Sequence, residues 1–253
     1  MPRPKLEALI DGDIVVHRIA AAVEVETKWE NDIWTLHADE RLARCLLRNE
    51  VARIREMLGG GSVKPILCLS SSNNWRNTVL PTYKSNRKGN RKPVVYKALR
   101  AFAAEEFATK SIARLEADDV MGILATEPRK GKKRVIVTID KDLKTVPGRH
   151  FNPDKDAEVR VVTEEEANYS HLTQALCGDS TDGYSGCPGI GPKKAEVILA
   201  TGGWAAVVDA FIKAGLTSSD ALIQARVARI LRYPEFDFKT GEVILWNPAD
   251  ALF

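Results

Sequence analysis

Carboxylates gather in this chain at places where a buried charge is costly. Asp11 closes the apolar run "LEALI", Glu116, Asp118 and Asp119 follow "SIARL", and Asp140 and Asp142 follow "RVIVTI". Asp179 and Asp182 come later, in "GDSTDG", and Asp13 stands beside the first acid. Acids can share one crevice only if protons or cations offset their repulsion. Mg2+ has the right chemistry for this. It binds through few carboxylates, keeps waters and recruits substrate phosphates, and two such ions can flank an in-line displacement at phosphorus. Blander roles compete with this one. A lone Asp after a strand caps the next helix, acids in a first turn complement the helix dipole, and "DKD" alone is a polar turn. None of these roles needs three strand ends to converge, so their joint occurrence with "GDSTDG" favours a metal site.

Convergence of that kind needs a parallel sheet. "KLEALIDGDIVVHRIAAAV" reads as a buried strand and then a loop or helix, "LHADERLARCLLRNEVARIREML" as an amphipathic helix, and "KPILCLS" as a second strand. "VVYKALRAFAAEEFA" is a helix, "SIARL" a short strand, "EADDVMGILATE" a helix stopped by Pro128, and "KKRVIVTID" a strand bounded by "PRKGK". The alternation predicts an α/β fold with a mostly parallel central sheet and helices on both faces. In such a sheet, ligands bind beyond the carboxyl ends of the strands. A capping box from Thr163 to Glu166 opens a helical region running to about Tyr233, and "FDFKTGEVILWNP" predicts a short hairpin or edge strand. The expected division is a core over residues 1–162 and a helical region over 163–253, whose tail packs back.

The net charge is only +3, but it is unevenly spread. No acid occurs between Met57 and Ala104, a span that carries Lys64, Arg76, Lys84, Arg87, Lys88, Arg91, Lys92, Lys97 and Arg100. Within it, "WRNTVLPTYKSNRKGNRK" interleaves cations with Trp75 and Tyr83. It reads either as a solvated loop or as a basic arch, about 73–93, that tracks phosphates and stacks bases. A second signal is "GCPGIGPKKA", residues 186–195. Gly189 and Gly191 permit close backbone approach, Pro192 suits a first helical position, and amides backed by Lys193 and Lys194 suit a phosphate.

Composition excludes several other classes. At 44% hydrophobic and 28% charged, the chain reads as an ordinary globular protein. The sequence shows no run read as a bilayer span and no signal peptide, so no membrane partner and a cytoplasmic location are expected. Four cysteines without CxxC pairing read as reduced, mostly buried thiols, and four scattered histidines form no metal box. Carboxylates, lysines and arginines are left to do the chemistry.

Taken in order, "LIDGD", "NWRN…YKSNRK", "LEADDVMG", "TIDKDLKT" and "GDSTDGYSGCPGIGPKKA" resemble the flap endonuclease / 5′ nuclease superfamily, and most of all the 5′→3′ exonucleases of short-tailed lytic phages. The resemblance covers nearly the whole chain. It implies a PIN-like nuclease core with a helix-hairpin-helix-type element, two Mg2+ or Mn2+ ions, and cleavage near the 5′ end of DNA. By the same resemblance, Asp11, Glu116, Asp118, Asp119, Asp140, Asp142, Asp179 and Asp182 match the metal-site acids, with Asp13 ranked below them. Tyr83, Lys84 and Arg87 match arch residues, where the lysine meets the scissile phosphate and the tyrosine stacks a base. Arg76, Lys88, Arg91, Lys92, Lys193 and Lys194 join the expected DNA contacts. Gly189 and Gly191 match a hairpin that holds the duplex, often with K+. One departure stands out: the family carries an Asp after the second strand, and Ser71 in "SSSNN" is read at that place.

The expected function is a two-metal 5′→3′ exonuclease, with flap or RNase H-like cleavage in its reach. Its expected substrate is duplex DNA with a 5′ end, nick or flap, or an RNA–DNA hybrid. A monomer is expected, in the cytoplasm of a phage-infected bacterium. Two rivals remain at this point. "LIDGD" and "GDSTDG" mimic the motifs of a haloacid-dehalogenase-type phosphatase, and Ser71 motivates a DNA-binding protein with a degraded metal site.

Overall fold

The computed structural model describes residues 6–128 and 133–250. Its centre is a six-stranded sheet in the order β5-β4-β1-β6-β7-β8. β1 (Leu6–Asp11) runs parallel to β4 (Val63–Cys68) on one side and β6 (Lys133–Val137) on the other, with Asp11 opposite Cys68 and Ile10 opposite Val137. β5 (Thr109–Lys110) and β7 (Gly148–Phe151) continue the parallel set, and β8 (Arg160–Val162) closes the far edge antiparallel. Helices cover both faces, which is why the central strands read as continuous apolar runs.

Side chains of β1 alternate between two cores, as the pleat requires. Ala8 and Ile10 pack with Val16, Leu47 and Leu99, which come from α1 (Gly12–Ala22), α2 (Glu40–Met57) and α4 (Tyr96–Glu106). Leu9 faces the other side, with Val120 and Met121 of α5 (Ala117–Thr126) and with Leu231 and Phe236, which return from the C-terminal part. A third core joins α6 (Glu164–Cys177), α7 (Pro192–Lys213) and α8 (Ser218–Ala228) around Leu176, Phe211 and Trp246. The expected capping box at Thr163 and Glu166 forms at the start of α6. β9 (Phe236–Asp237) and β10 (Glu242–Val243) make the expected terminal hairpin.

Several sequence expectations change. "SIARL" is not a strand: Arg114 takes a left-handed φ of 67° and the Leu115 amide bonds to Ile112 O, so the segment turns and the β5 pairing stops at Lys110. An antiparallel hairpin, β2 (Glu24–Lys28) and β3 (Trp34–Ala38), takes over the first residues of the helix expected from Leu36. α8 ends at Ala228 rather than near Tyr233, and the chain beyond it is drawn out across α5. In the basic segment, helical structure is limited to α3 (Arg76–Val79) and one 3-10 turn, Ser85–Arg87. The expected "PRKGK" turn lies partly outside the described residues.

α7 also departs from the sequence reading. By length and composition it could cross a bilayer, with a mean hydropathy of 1.5. Gly202 and Gly203 break it, however, and its two halves pack on α6 and α8 around Ala195, Val207 and Phe211.

Candidate active site

The strand order reverses around β1, and the crevice opens there, beyond the carboxyl ends of β1, β4 and β6. Its volume is about 890 Å3, and its lining includes Asp11, Asp13, Glu116, Asp118, Asp140, Asp142, Asp179 and Asp182. Local sequence explains each placement. Asp11 ends β1 and caps α1 through the Ile14 amide at 3.1 Å, while Thr138 Oγ1 donates to its other oxygen at 3.0 Å. Gly12 is required next to it, since a Cβ there would stand 2.7 Å from Cys68 O. Glu116 and Asp118 sit at the start of α5, above the sheet. Asp140 and Asp142 follow β6 in a tight turn closed by the Asp142 amide on Asp140 Oδ1 at 2.9 Å. Gln174 of α6 reaches in to donate to Asp142 at 2.7 Å.

Asp179 and Asp182 arrive by a loop that folds on itself. Gly178 and Gly186 have φ of 68° and 64°, and a Cβ on either would lie 2.3 Å from backbone of the other arm. Only glycine permits that closure. Asp179 then accepts from the Thr181 amide at 2.7 Å, which fixes the turn presenting Asp182 to the basic segment.

Electrostatics divide the acids into two groups. Burial, with Asp13 and Asp140 nearby, pushes Asp11 up to about 7. Burial also raises Asp118, well above the usual carboxylate range, with Asp11, Glu116 and Asp140 adding to it. Asp142 rises to about 6 through burial and the charges of Asp140 and Asp179. Glu116 moves the other way: burial opposes its charge, yet Arg76 and Lys84 outweigh burial and hold it at about 2. Asp118 thus lines the crevice as a buried acid beside three carboxylates, their charge offset in part by Lys84.

Cations from the basic segment close the rim. Lys84 Nζ lies 2.5 Å from Glu116 Oε1 and 3.5 Å from Asp182 Oδ2. Arg87 pairs with Asp182 and bonds Thr181 O at 3.0 Å. Lys84 has a left-handed φ of 53°, and its amide bonds Asp182 O at 2.8 Å, so backbone as well as charge ties the segment to the loop.

Several expected contacts are placed differently. Asp119 is fully buried and receives Trp75 Nε1 at 3.0 Å, Arg76 Nη1 at 2.7 Å, Arg76 Nη2 at 2.8 Å and the Leu231 amide at 3.1 Å. Its lone pairs are spent on structure, and it does not line the crevice as a free ligand. Arg76 spends all five donors on Asp119, Glu116, Val227 O and Arg229 O, which leaves none for a DNA phosphate. Tyr83 is 5% exposed, too enclosed to stack a base, and its hydroxyl bridges Glu116 at 3.0 Å and Asp182 at 2.8 Å. The serine lining the crevice after β4 is Ser70, whereas the Ser71 hydroxyl turns to Ser72 O. Arg91 is held by Glu24 at 2.6 and 2.8 Å, and Lys92 lies over Tyr96. Lys88 and Lys193 are exposed, Lys194 bonds Gly189 O, and nothing crowds Gly189 or Gly191.

Sequence reasoning missed Thr138, Gln174 and the Arg76–Asp119 pair. "VTIDKD" placed Thr138 within two residues of an acid, a usable signal; Gln174 and the pairing carried none.

Among the described residues, no three His, Cys, Asp or Glu side chains are already drawn together tightly enough to chelate one ion alone. The donor set still fits hard divalent cations: it is all oxygen, several acids are raised by burial and, to a lesser extent, by one another, and the crevice has room for waters to complete the coordination.

Comparison with known proteins agrees with this architecture. Residues 7–171 match the family described as 5′-3′ exonuclease, N-terminal resolvase-like domain. The chain is similar to the exodeoxyribonuclease of Enterobacteria phage T3, 33% identical over 95% of this chain and 92% of that protein. It is also similar to the exonuclease of Escherichia phage T7, 34% identical over 95% and 93%. The solved structure of the bacteriophage T5 D15 protein, co-crystallised with metal ions, shares the fold with a TM-score of 0.63 at 15% identity, over 88% of each chain. These matches leave the phosphatase and the purely DNA-binding readings without support. With its acids at the strand ends of this nuclease fold and a family match across most of its length, the chain belongs to the 5′-3′ exonuclease family.

Proposed function

We propose that this chain hydrolyses phosphodiester bonds in duplex DNA from a 5′ end, nick or flap, leaving a 5′-phosphate and a 3′-hydroxyl. The observation that carries this reading is the meeting of Asp11, Asp118, Asp140 and Asp142 in one crevice whose rim holds Lys84 between Glu116 and Asp182. Asp11, Glu116, Asp118, Asp140, Asp142, Asp179 and Asp182 are the residues that would hold two Mg2+ or Mn2+ ions. When bound, such ions polarise the phosphate and lower the pKa of the attacking water.

The chain's own groups do the rest. Thr138 and Gln174 orient Asp11 and Asp142 by hydrogen bonds. Lys84 and Arg87 already border the carboxylates, so a phosphate entering the crevice exchanges their acidic partners for its own oxygens and gains charge stabilisation. The exposed Lys88, Lys92, Lys193 and Lys194 extend the positive surface along the DNA backbone. Gly189 and Gly191 stand uncrowded before α7, which supports a backbone contact there with K+ as the associated ion. Activity on RNA–DNA hybrids, a monomeric state and a place in the cytoplasm of an infected bacterium complete the proposal.

The deciding measurement is the product pattern from a 5′-labelled duplex with Mg2+ or Mn2+, with and without chelator. Short 5′-labelled products that vanish with chelator are expected. Binding without any degradation sinks the reading.

A further inference from the structure

We propose that Lys144 and Ser170 hold a backbone phosphate of the DNA strand on the α6 wall of the crevice, and that the ring of Tyr169 lies against the neighbouring base. This rests on the nuclease reading above and adds to it a subsite beside the reacting phosphate.

Two elements build this wall. The 3-10 turn Asp142–Thr145 buries Leu143 in the core and leaves Lys144 exposed, lining the crevice. α6 brings Tyr169 and Ser170 to the same crevice. Two ties hold the turn against the helix. At one end Gln174 donates to Asp142 at 2.7 Å. At the other, the buried guanidinium of Arg232 donates through Nη2 to Thr145 O at 2.6 Å and through Nη1 to Asn168 Oδ1 at 2.8 Å. Thr145 and Asn168 are the chain neighbours of Lys144 and Tyr169. The clamp therefore sets the ammonium and the ring on one wall.

The polar groups of the wall are uncommitted. Among the described residues, no hydrogen bond or ion pair engages the Lys144 ammonium, the Ser170 hydroxyl or the Tyr169 hydroxyl. Other cations of the crevice are engaged: Lys84 by Glu116 and Asp182, Arg87 by Asp182, and Arg76 by Asp119. Lys141, in the adjoining position, faces the charge of Asp142. Lys144 can thus take a phosphate without giving up an acidic partner. The tyrosines differ in the same way. Tyr83 and Tyr184 are buried, whereas Tyr169 is 45% exposed and has a ring open to a base, the role that the sequence reading gave to Tyr83. A cation and a hydroxyl for a phosphate, beside an open aromatic ring for a base, together match one nucleotide.

The experiment is the affinity of the full chain for a 5′-labelled duplex, measured by fluorescence anisotropy over a range of salt with chelator present to prevent hydrolysis. Lys144→Ala is expected to weaken binding by roughly 3–10-fold and to lower the slope of log affinity against log salt by about one. Lys144→Arg should keep both. Tyr169→Ala is expected to weaken binding by about 5–100-fold with the slope unchanged, and Tyr169→Phe should bind as wild type. Lys64→Ala is the control, because Lys64 is exposed at the opposite end of β4 from the crevice. Wild-type affinity in either alanine variant of the wall overturns the proposal, as does an equal loss in Lys64→Ala or a failure of the Arg and Phe variants to restore binding. With Mg2+ added, a wild-type chain that binds the duplex but never degrades it sinks the nuclease reading. A chain that degrades it while Lys144→Ala and Tyr169→Ala bind normally sinks the subsite alone.

Discussion

The guanidinium of Arg76 grips the carboxylate of Asp119 with two parallel bonds of 2.7 and 2.8 Å, both groups buried beneath the floor of the crevice. One partner comes from the basic segment and the other from the acidic motif, so the pair fastens the two chemically active stretches together. Cutting it leaves a buried charge unpaired. Arg76→Ala and Asp119→Ala are each expected to cost about 3–5 kcal/mol of unfolding free energy, and the double variant less than their sum. Urea denaturation of the three variants checks this.

Asp118 lines the crevice and has acid neighbours but no hydrogen bond that folding depends on. Asp118→Asn is expected to lower hydrolysis by at least ~100-fold while the melting temperature of the metal-free protein holds or rises, since a repelled charge is removed. Single-turnover cleavage and a thermal scan measure the two effects. A lower melting temperature would recast Asp118 as structural.

Lys84→Ala separates chemistry from binding. Lys84 Nζ is placed among acids at the crevice rim, and the wider basic surface is left in place by its removal. The single-turnover rate should fall by roughly 100–1,000-fold, with duplex affinity changed by only a few-fold. An unchanged rate refutes the role.

Stability of the chelated protein should depend on pH with a definite sign. Asp11 ionises at about 7 in the folded protein against 3.8 when free, and Asp142 at about 6 against 3.8. Raised acids make the folded state hold protons that the unfolded state has released, so stability falls as pH rises from about 4 to 7. Glu116 has the opposite sign: its contribution is present above 4.5 and is lost as pH falls toward 2. Melting temperatures of the chelated protein should therefore decline between about pH 5 and 7.5, and Mg2+ should flatten the decline. A flat profile without metal would mean that these acids are not raised, and would remove the buried, unneutralised charge on which the cation reading depends.

Much of this molecule was legible as text because its central strands are buried on both faces. "LEALI" and "RVIVTI" could only be core strands, and acids directly after such runs must lie along one edge of a parallel sheet. That reasoning placed Asp11, Asp140 and Asp142 without coordinates. Short or exposed elements were not legible. The hairpin of β2 and β3 carries Trp29, Ile33 and Trp34 in solvent, so burial imposes no pattern on it. "SIARL" has the composition of a strand, but its pairing is cut off by one left-handed residue, Arg114.

By itself the sequence determined the layered α/β architecture, the acidic edge and the basic segment, since periodicity and charge are local properties. Only the tertiary structure decided what each charge does. Asp118 and Asp119 are neighbours in the same helical turn, yet one lines the crevice and the other is saturated by Arg76, Trp75 and Leu231. Arg76 and Lys84 belong to one basic stretch, yet one is locked in the floor and the other stands at the rim. Ser70 and Ser71 are also neighbours, yet one lines the crevice and the other turns its hydroxyl to Ser72 O. The direction of a side chain at a strand end depends on packing partners far away in sequence, and three-dimensional contact alone supplies that information.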